Sequence, residues 1–201
     1  MLLLLLLAPC EGTNPPTVTT VKKEQMAAGA FDSLSHIMET YFSKPDEPNV
    51  SDEISEALMR NIIKNTRMAL ADPRDYTARS NLLWDSTLSE NRLVKLGKQC
   101  DFTCHLMAHH IYENGLNKFS RFARNVWLIS EEGRTDTQMA EAGLNALADF
   151  IREAKLPATL KELGVKDKHE LKQIADSCRY SPGSYRRMMQ EEILEIFTEC
   201  F

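Results

Sequence analysis

From Val21 onward, apolar residues recur at the three- and four-residue spacing of an α-helix and almost nowhere alternate. After a Pro15-Pro16 loop and a short β-branched run, TVTTV, the pattern predicts a long helix over residues 23–43. It stops before Pro45, because proline pushes the residue ahead of it out of the helical region. Asn49 or Ser51 caps the next helix by accepting from an otherwise unpaired backbone N–H, and Asp52 and Glu53 favour the positive end of its dipole. Ile54, Leu58 and Ile62 mark its buried face, and Asp72-Pro73 breaks it. A third helix runs through Tyr76, Leu83 and Trp84 towards Gly97, and a fourth carries His105 and His109. In the fifth, Phe119, Phe122, Val126 and Trp127 fall at i, i+3, i+7 and i+8, a stripe that reads as core rather than as an aromatic binding platform. A sixth extends from Thr135 through Leu144, Leu147 and Ile151 to Pro157, and two shorter ones centre on Leu171 and Leu194. The expected fold class is therefore all-α, a multi-helix bundle. Residues 1–20 read as an apolar, irregular N-terminal remnant and 21–201 as one helical domain.

Composition narrows the function classes. At 201 residues, 43% hydrophobic and 26% charged, the chain is long enough to bury one sizeable core. A net charge of -5 argues against a nucleic-acid partner, which needs a basic stripe to displace phosphate counterions. Arg121 with Arg124 and Arg186 with Arg187 read as solvated faces rather than as such a stripe. The opening MLLLLLLAPC has no basic residue ahead of the leucines, unlike an export signal, and is far too short to span a bilayer. It reads as an apolar remnant, or as a strand of a further domain, and no membrane partner is expected. Cysteines at 10, 100, 104, 178 and 200 form no CxxC pair and are odd in number, which suggests reduced thiols in a cytoplasmic protein. The nine methionines read as core filler.

The candidate chemistry lies in two helix-spaced pairs. Asp32 and His36 stand four residues apart in GAFDSLSHIMETYF, as do His105 and His109 in DFTCHLMAHHI. Residues at i and i+4 share a helix face with Cβ atoms about 5–6 Å apart, so each pair can aim two ligand-type side chains at one point. One pair alone is more economically explained as ordinary polar residues on a helix face. Two pairs in one small chain favour a carboxylate-and-imidazole site for a divalent ion drawn from two helices. His110 points about 100° away from His109, and His169, among charges in KDKHELK, is expected in solvent.

The stretch AAGAFDSLSHIMETYFS resembles the iron-containing alcohol dehydrogenases, particularly their butanol dehydrogenase-like branch. Further similar patches follow in order: KPDEPNVSDEISEALMRNIIKN, DPRDYTARSNLLWDSTLS, LGKQCDFTCHLMAHH, KFSRFARNVWLIS, LPATLKELGV and EEILEIFTEC, so the resemblance runs from about Pro15 to the C-terminus. It implies metal ligands at Asp32, His36 and His105, with His109 close to the metal and helping proton movement. It also implies Fe(2+), or Zn(2+), an NAD(P) cofactor, and a small alcohol or aldehyde as substrate. The macromolecular partner expected is a second copy or a full-length relative.

Two features of the family are not found. Members are about twice as long, with an N-terminal α/β domain whose glycine-rich turn holds the dinucleotide. Here the eight glycines, at 12, 29, 97, 115, 133, 143, 164 and 183, give no such fingerprint. The family's third histidine ligand follows the position of His105 by roughly fourteen residues, where this chain has Phe119. The text jumps from MAHHI to YENGLNKFSRFARNVW, as though an internal segment had been deleted. The expectation is an NAD(P)-linked alcohol dehydrogenase domain, impaired or inactive alone; the alternative is a non-catalytic helical scaffold that pairs with a full-length relative.

Overall fold

The computed structural model describes residues 19–91, 93–95, 110–178 and 185–201. Helix α1 spans Lys23–Tyr41, α2 Val50–Ala71, α3 Tyr76–Glu90, α4 Leu116–Asn125, α5 Asp136–Glu153, α6 His169–Ser177 and α7 Gln190–Glu199. Short 3-10 turns cover Leu93–Lys95 and Tyr112–Gly115, and there is no strand among the described residues. The expected all-α architecture is what the protein adopts. Helices α1, α2 and α3 pack on one another, α4 lies against α5, and α6 against α7.

The boundaries have local causes. Asn49 caps α2, its side chain accepting from the Asp52 N–H, and Asp75 caps α3 by accepting from Ala78. Thr135 opens α5 with a reciprocal capping box to Gln138, which satisfies two backbone donors at once. Helix α3 ends at Glu90, short of the Gly97 the pattern suggested. The helix expected to carry His105 and His109 lies outside the described residues, as do Cys10, Cys100, Cys104 and the leading leucine run.

The core is built on rings. Phe42, one residue past α1, stacks flat on Phe119 of α4, with centroids 4.2 Å apart and planes 9° from parallel. Phe122 meets Phe42 edge-on at 5.1 Å, and Trp127 bridges Phe122 and Phe150 of α5 at 6.0 and 6.1 Å. Such offset and edge-on pairs each add about 0.5–1.5 kcal/mol beyond the area they bury. The stripe predicted as core is therefore core: Phe119 and Phe122 are fully buried and Val126 nearly so. Five of the methionines, Met26, Met38, Met59, Met139 and Met188, are buried filler, whereas Met68 and Met189 face solvent.

Charged residues enter this core where the sequence did not place them. Lys118 of α4 and Asp52 of α2 form an ion pair in which both side chains are at most 1% exposed. The Lys118 ammonium also lies 5.2 Å from the centre of the Tyr41 ring. Beside it, Glu56 accepts from the Tyr41 hydroxyl at 2.8 Å, from Asn125 at 2.9 Å and from Arg121. Arg121 is thus not on a solvated face as expected: its guanidinium is drawn under the helices by a buried carboxylate, and its neighbour Arg124 alone reaches outward. Arg186 lies ahead of α7, not on a helix face, and pairs with Glu192. Burial and the Glu56 charge together push the Tyr41 phenol far above its usual range, so it stays a hydrogen-bond donor.

Candidate metal centre

Helix α1 carries its apolar residues, Leu34, Ile37, Met38 and Tyr41, into the core. That leaves the Asp32 and His36 positions towards its margin, where His36 is 36% exposed and Asp32 59%. The four-residue spacing does bring the pair together: Asp32 Oδ1 lies 3.7 Å from His36 Nε2. The packing of α1 on α3 adds a residue that periodicity could not supply, since Glu90 Oε1 comes within 3.2 Å of the same Nε2. On the other side of the ring, Glu39 Oε2 is 3.6 Å from Nδ1. Three carboxylates thus surround one imidazole, and the patch stays negative whatever the protonation of the ring, a field that concentrates cations.

Glu90 Oε1 is an anomaly in this patch. It is shut off from solvent, yet accepts no hydrogen bond from any described residue. Its approach to His36 is that of an ion pair, off the line a ring N–H would need. The donor set, two carboxylates and an imidazole, suits iron(II), zinc and similar divalent ions without choosing among them.

Among the described residues, no group of three or more His, Cys, Asp or Glu side chains is arranged to hold a metal ion. Asp32 and His36 are brought together; His105 and His109 lie outside the described residues. Phe119, which stands where a further histidine was sought, turns its ring into the aromatic core and is fully buried there. His110 pairs instead with Glu199 of α7 at 3.1 Å, and His169 is exposed as expected. Cys178 and Cys200 both remain thiols. No described helix is long and apolar enough to cross a membrane.

Comparison with known proteins identifies the family. The family model described as "Fe-containing alcohol dehydrogenase family, C-terminal" matches residues 26–115 and 110–201, two segments that overlap at 110–115. The NADH-dependent butanol dehydrogenase A of Clostridium acetobutylicum is 33% identical, over 92% of this chain and 55% of its own length. The NADPH-dependent aldehyde reductase of Escherichia coli is 25% identical, over 76% of this chain and 45% of its own length. Among solved structures, the NADH-dependent butanol dehydrogenase A of Thermotoga maritima superposes with a TM-score of 0.78 at 25% identity, covering 92% of this chain and 54% of that one. The chain spans about half the length of the curated relatives it matches.

Proposed function

The chain belongs to the Fe-containing alcohol dehydrogenase family, and on that premise we propose that it carries the metal-binding half of an NAD(P)-linked alcohol dehydrogenase. The reaction is the interconversion of a primary alcohol such as butanol and its aldehyde in the cytoplasm. The observation that carries the reading is the Asp32–His36 pair on one face of α1, with Oδ1 and Nε2 3.7 Å apart. Donors about 2.1 Å from one ion and 90–110° apart around it stand roughly 3.0–3.5 Å from each other, so the pair needs only a slight closure.

The ligands proposed are Asp32, His36 and His105. A divalent ion bound there, iron(II) or zinc, would polarise the alcohol oxygen and favour its alkoxide form. Asp32 supplies the anionic donor, and Glu39, on the Nδ1 side of the ring, biases His36 to present Nε2 to the ion, as an outer carboxylate does for a ligating histidine. His109 is proposed to pass the alcohol proton towards solvent. Phe119 contributes no donor to the site, and the family match in two segments meeting at 110–115 supports a stretch lost between His109 and Tyr112. Affinity and turnover of this polypeptide alone are expected to be low, and catalysis to improve if it pairs with a full-length relative.

The test is metal content and NADP-linked butanol oxidation of the purified chain beside Asp32→Ala and His36→Ala. Both variants should lose bound metal. Equal metal in all three would remove the ligand assignment. Running the assay with and without a full-length butanol dehydrogenase separates an enzyme from a scaffold: turnover by the chain alone, abolished by His105→Ala, would show a self-sufficient catalyst.

A further inference from the structure

We propose that Asn61, Asn65, Asn81 and Asp85 form a register lock between α2 and α3: a directed chain of side-chain hydrogen bonds, rather than apolar packing, decides how the two helices align.

Apolar burial gives α3 little to align by. The side chains it buries are Ala78, Arg79, Leu82, Asp85, Ser86 and Ser89. Leu82 alone among them is large and apolar, joined by a half-buried Leu88, while Trp84 is 57% exposed. A slip of one helical turn, about 5.4 Å, would therefore displace a single well-buried apolar side chain of α3.

The polar groups discriminate where the apolar ones do not. Asn61 Nδ2 donates to both Asp85 oxygens, at 2.9 and 2.8 Å. Asn65 Nδ2 donates to Asn61 Oδ1 at 2.9 Å and to the Asn61 backbone carbonyl at 2.8 Å. Asn81 Nδ2 in turn donates to Asn65 Oδ1 at 3.1 Å. Asn61 and Asn65 lie one turn apart on α2, as do Asn81 and Asp85 on α3, so two i, i+4 pairs interlock across the helix contact. Asp85 and Asn65 are each 2% exposed, which makes water a poor substitute for either partner.

The direction of the chain is set at one end. As a carboxylate, Asp85 only accepts, so Asn61 must turn its NH2 group towards α3. Its Oδ1 is then left for Asn65, whose own Oδ1 is left for Asn81. After a slip of one turn, Asn81 or Ser89 would face Asn61, and neither is acceptor-only. Asp85 would lose both donations while still buried, which the observed register avoids. Fixing register is the best-attested use of buried polar side chains between helices. Register here also decides what α3 presents to α1, since Glu90, five positions beyond Asp85, ends 3.2 Å from His36 Nε2.

The experiment compares the full chain with a triple variant, Asn61→Leu, Asn65→Leu and Asp85→Leu, which replaces the lock by apolar side chains of similar volume. Thermal melting reports overall stability, and backbone hydrogen exchange followed by mass spectrometry reports each helix. The triple variant should melt near or above wild type, as proteins do when buried polar groups are replaced together. Its α3 amides, over residues 76–90, should nevertheless exchange at least about tenfold faster, with α4 and α5 exchanging as in wild type. Wild-type exchange across α3, or faster exchange in every helix alongside a lower melting temperature, would overturn the lock. If the triple variant does not fold, Asn65→Ala, which removes the middle link alone, decides by the same measurement. Faster exchange confined to α3 and the α2 segment facing it supports the lock, and a change that is absent or spread evenly over all helices overturns it.

Discussion

Replacing Lys118 by methionine tests whether the buried charges between α2 and α4 are a structural necessity. Methionine matches the length and volume of the lysine stem, so the change deletes one ammonium and little else. What it deprives of its counter-charge is the Asp52 carboxylate, which is fully buried and also accepts from the Asn49 amide at 2.9 Å. An ion pair at the surface is worth at most about 1 kcal/mol, but both members here are at most 1% exposed. Removing one partner of a buried pair leaves an uncompensated charge and costs about 3–5 kcal/mol. The lost cation–π contact with Tyr41 is part of that figure rather than an addition to it. Against a total stability of about 5–15 kcal/mol for a domain, the variant should unfold at a urea midpoint lower by roughly 1–2 M. The double variant Lys118→Met with Asp52→Leu removes both charges and should return to within about 1 kcal/mol of wild type. A single variant that loses less than about 1 kcal/mol, or a double variant as damaged as the single, would refute the reasoning.

Other consequences are as concrete. A Cβ at Gly143 of α5 would meet Ala123 of α4 at 2.9 Å, with backbone at 3.1 Å; Gly143→Ala should therefore cost about 1–3 kcal/mol from overpacking despite the better helix propensity of alanine, and a raised melting temperature would contradict the close approach. Asn49→Ala removes the cap of α2 and should cost about 1 kcal/mol by denaturant unfolding, whereas no change would mean the Asp52 N–H finds another acceptor. Burial holds the Asp85 carboxyl above its usual value, partly offset by the Asn61 amide that donates to both its oxygens. Its contribution to stability is then present in acid and lost as pH rises through the folded value, so Asp85→Asn should gain on wild type as pH rises above the ordinary carboxylate range. A difference in melting temperature that is flat or shrinks over that rise would reverse the assignment.

Most helix ends were legible because they are written locally. Pro45, the Asn49 cap and the Asp72-Pro73 break each act on backbone within a turn of where they stand, and α1 and α2 end accordingly at Tyr41 and Ala71. The spacing of Asp32 and His36 is likewise local, and the pair meets. The remainder depends on which helices touch. Arg121 looked solvated by residue type, and its neighbour Lys118, four residues before Phe122, shares that ring's inward face. The complementary spacing of Asp52 and Glu56 on α2 was the available signal, an acidic i, i+4 pair matching a basic i, i+3 pair. Nothing in the neighbourhood of Glu90 points to His36; only the crossing of α1 and α3 creates that contact.

The flat stack of Phe42 on Phe119 also restricts what residue 119 can become. Writing histidine into codon 119 would not add a donor to α1's polar margin, because that side chain is fully buried in the ring stack with Phe42. An imidazole there would be stranded among aromatic rings, with Phe42 and Tyr185 against it.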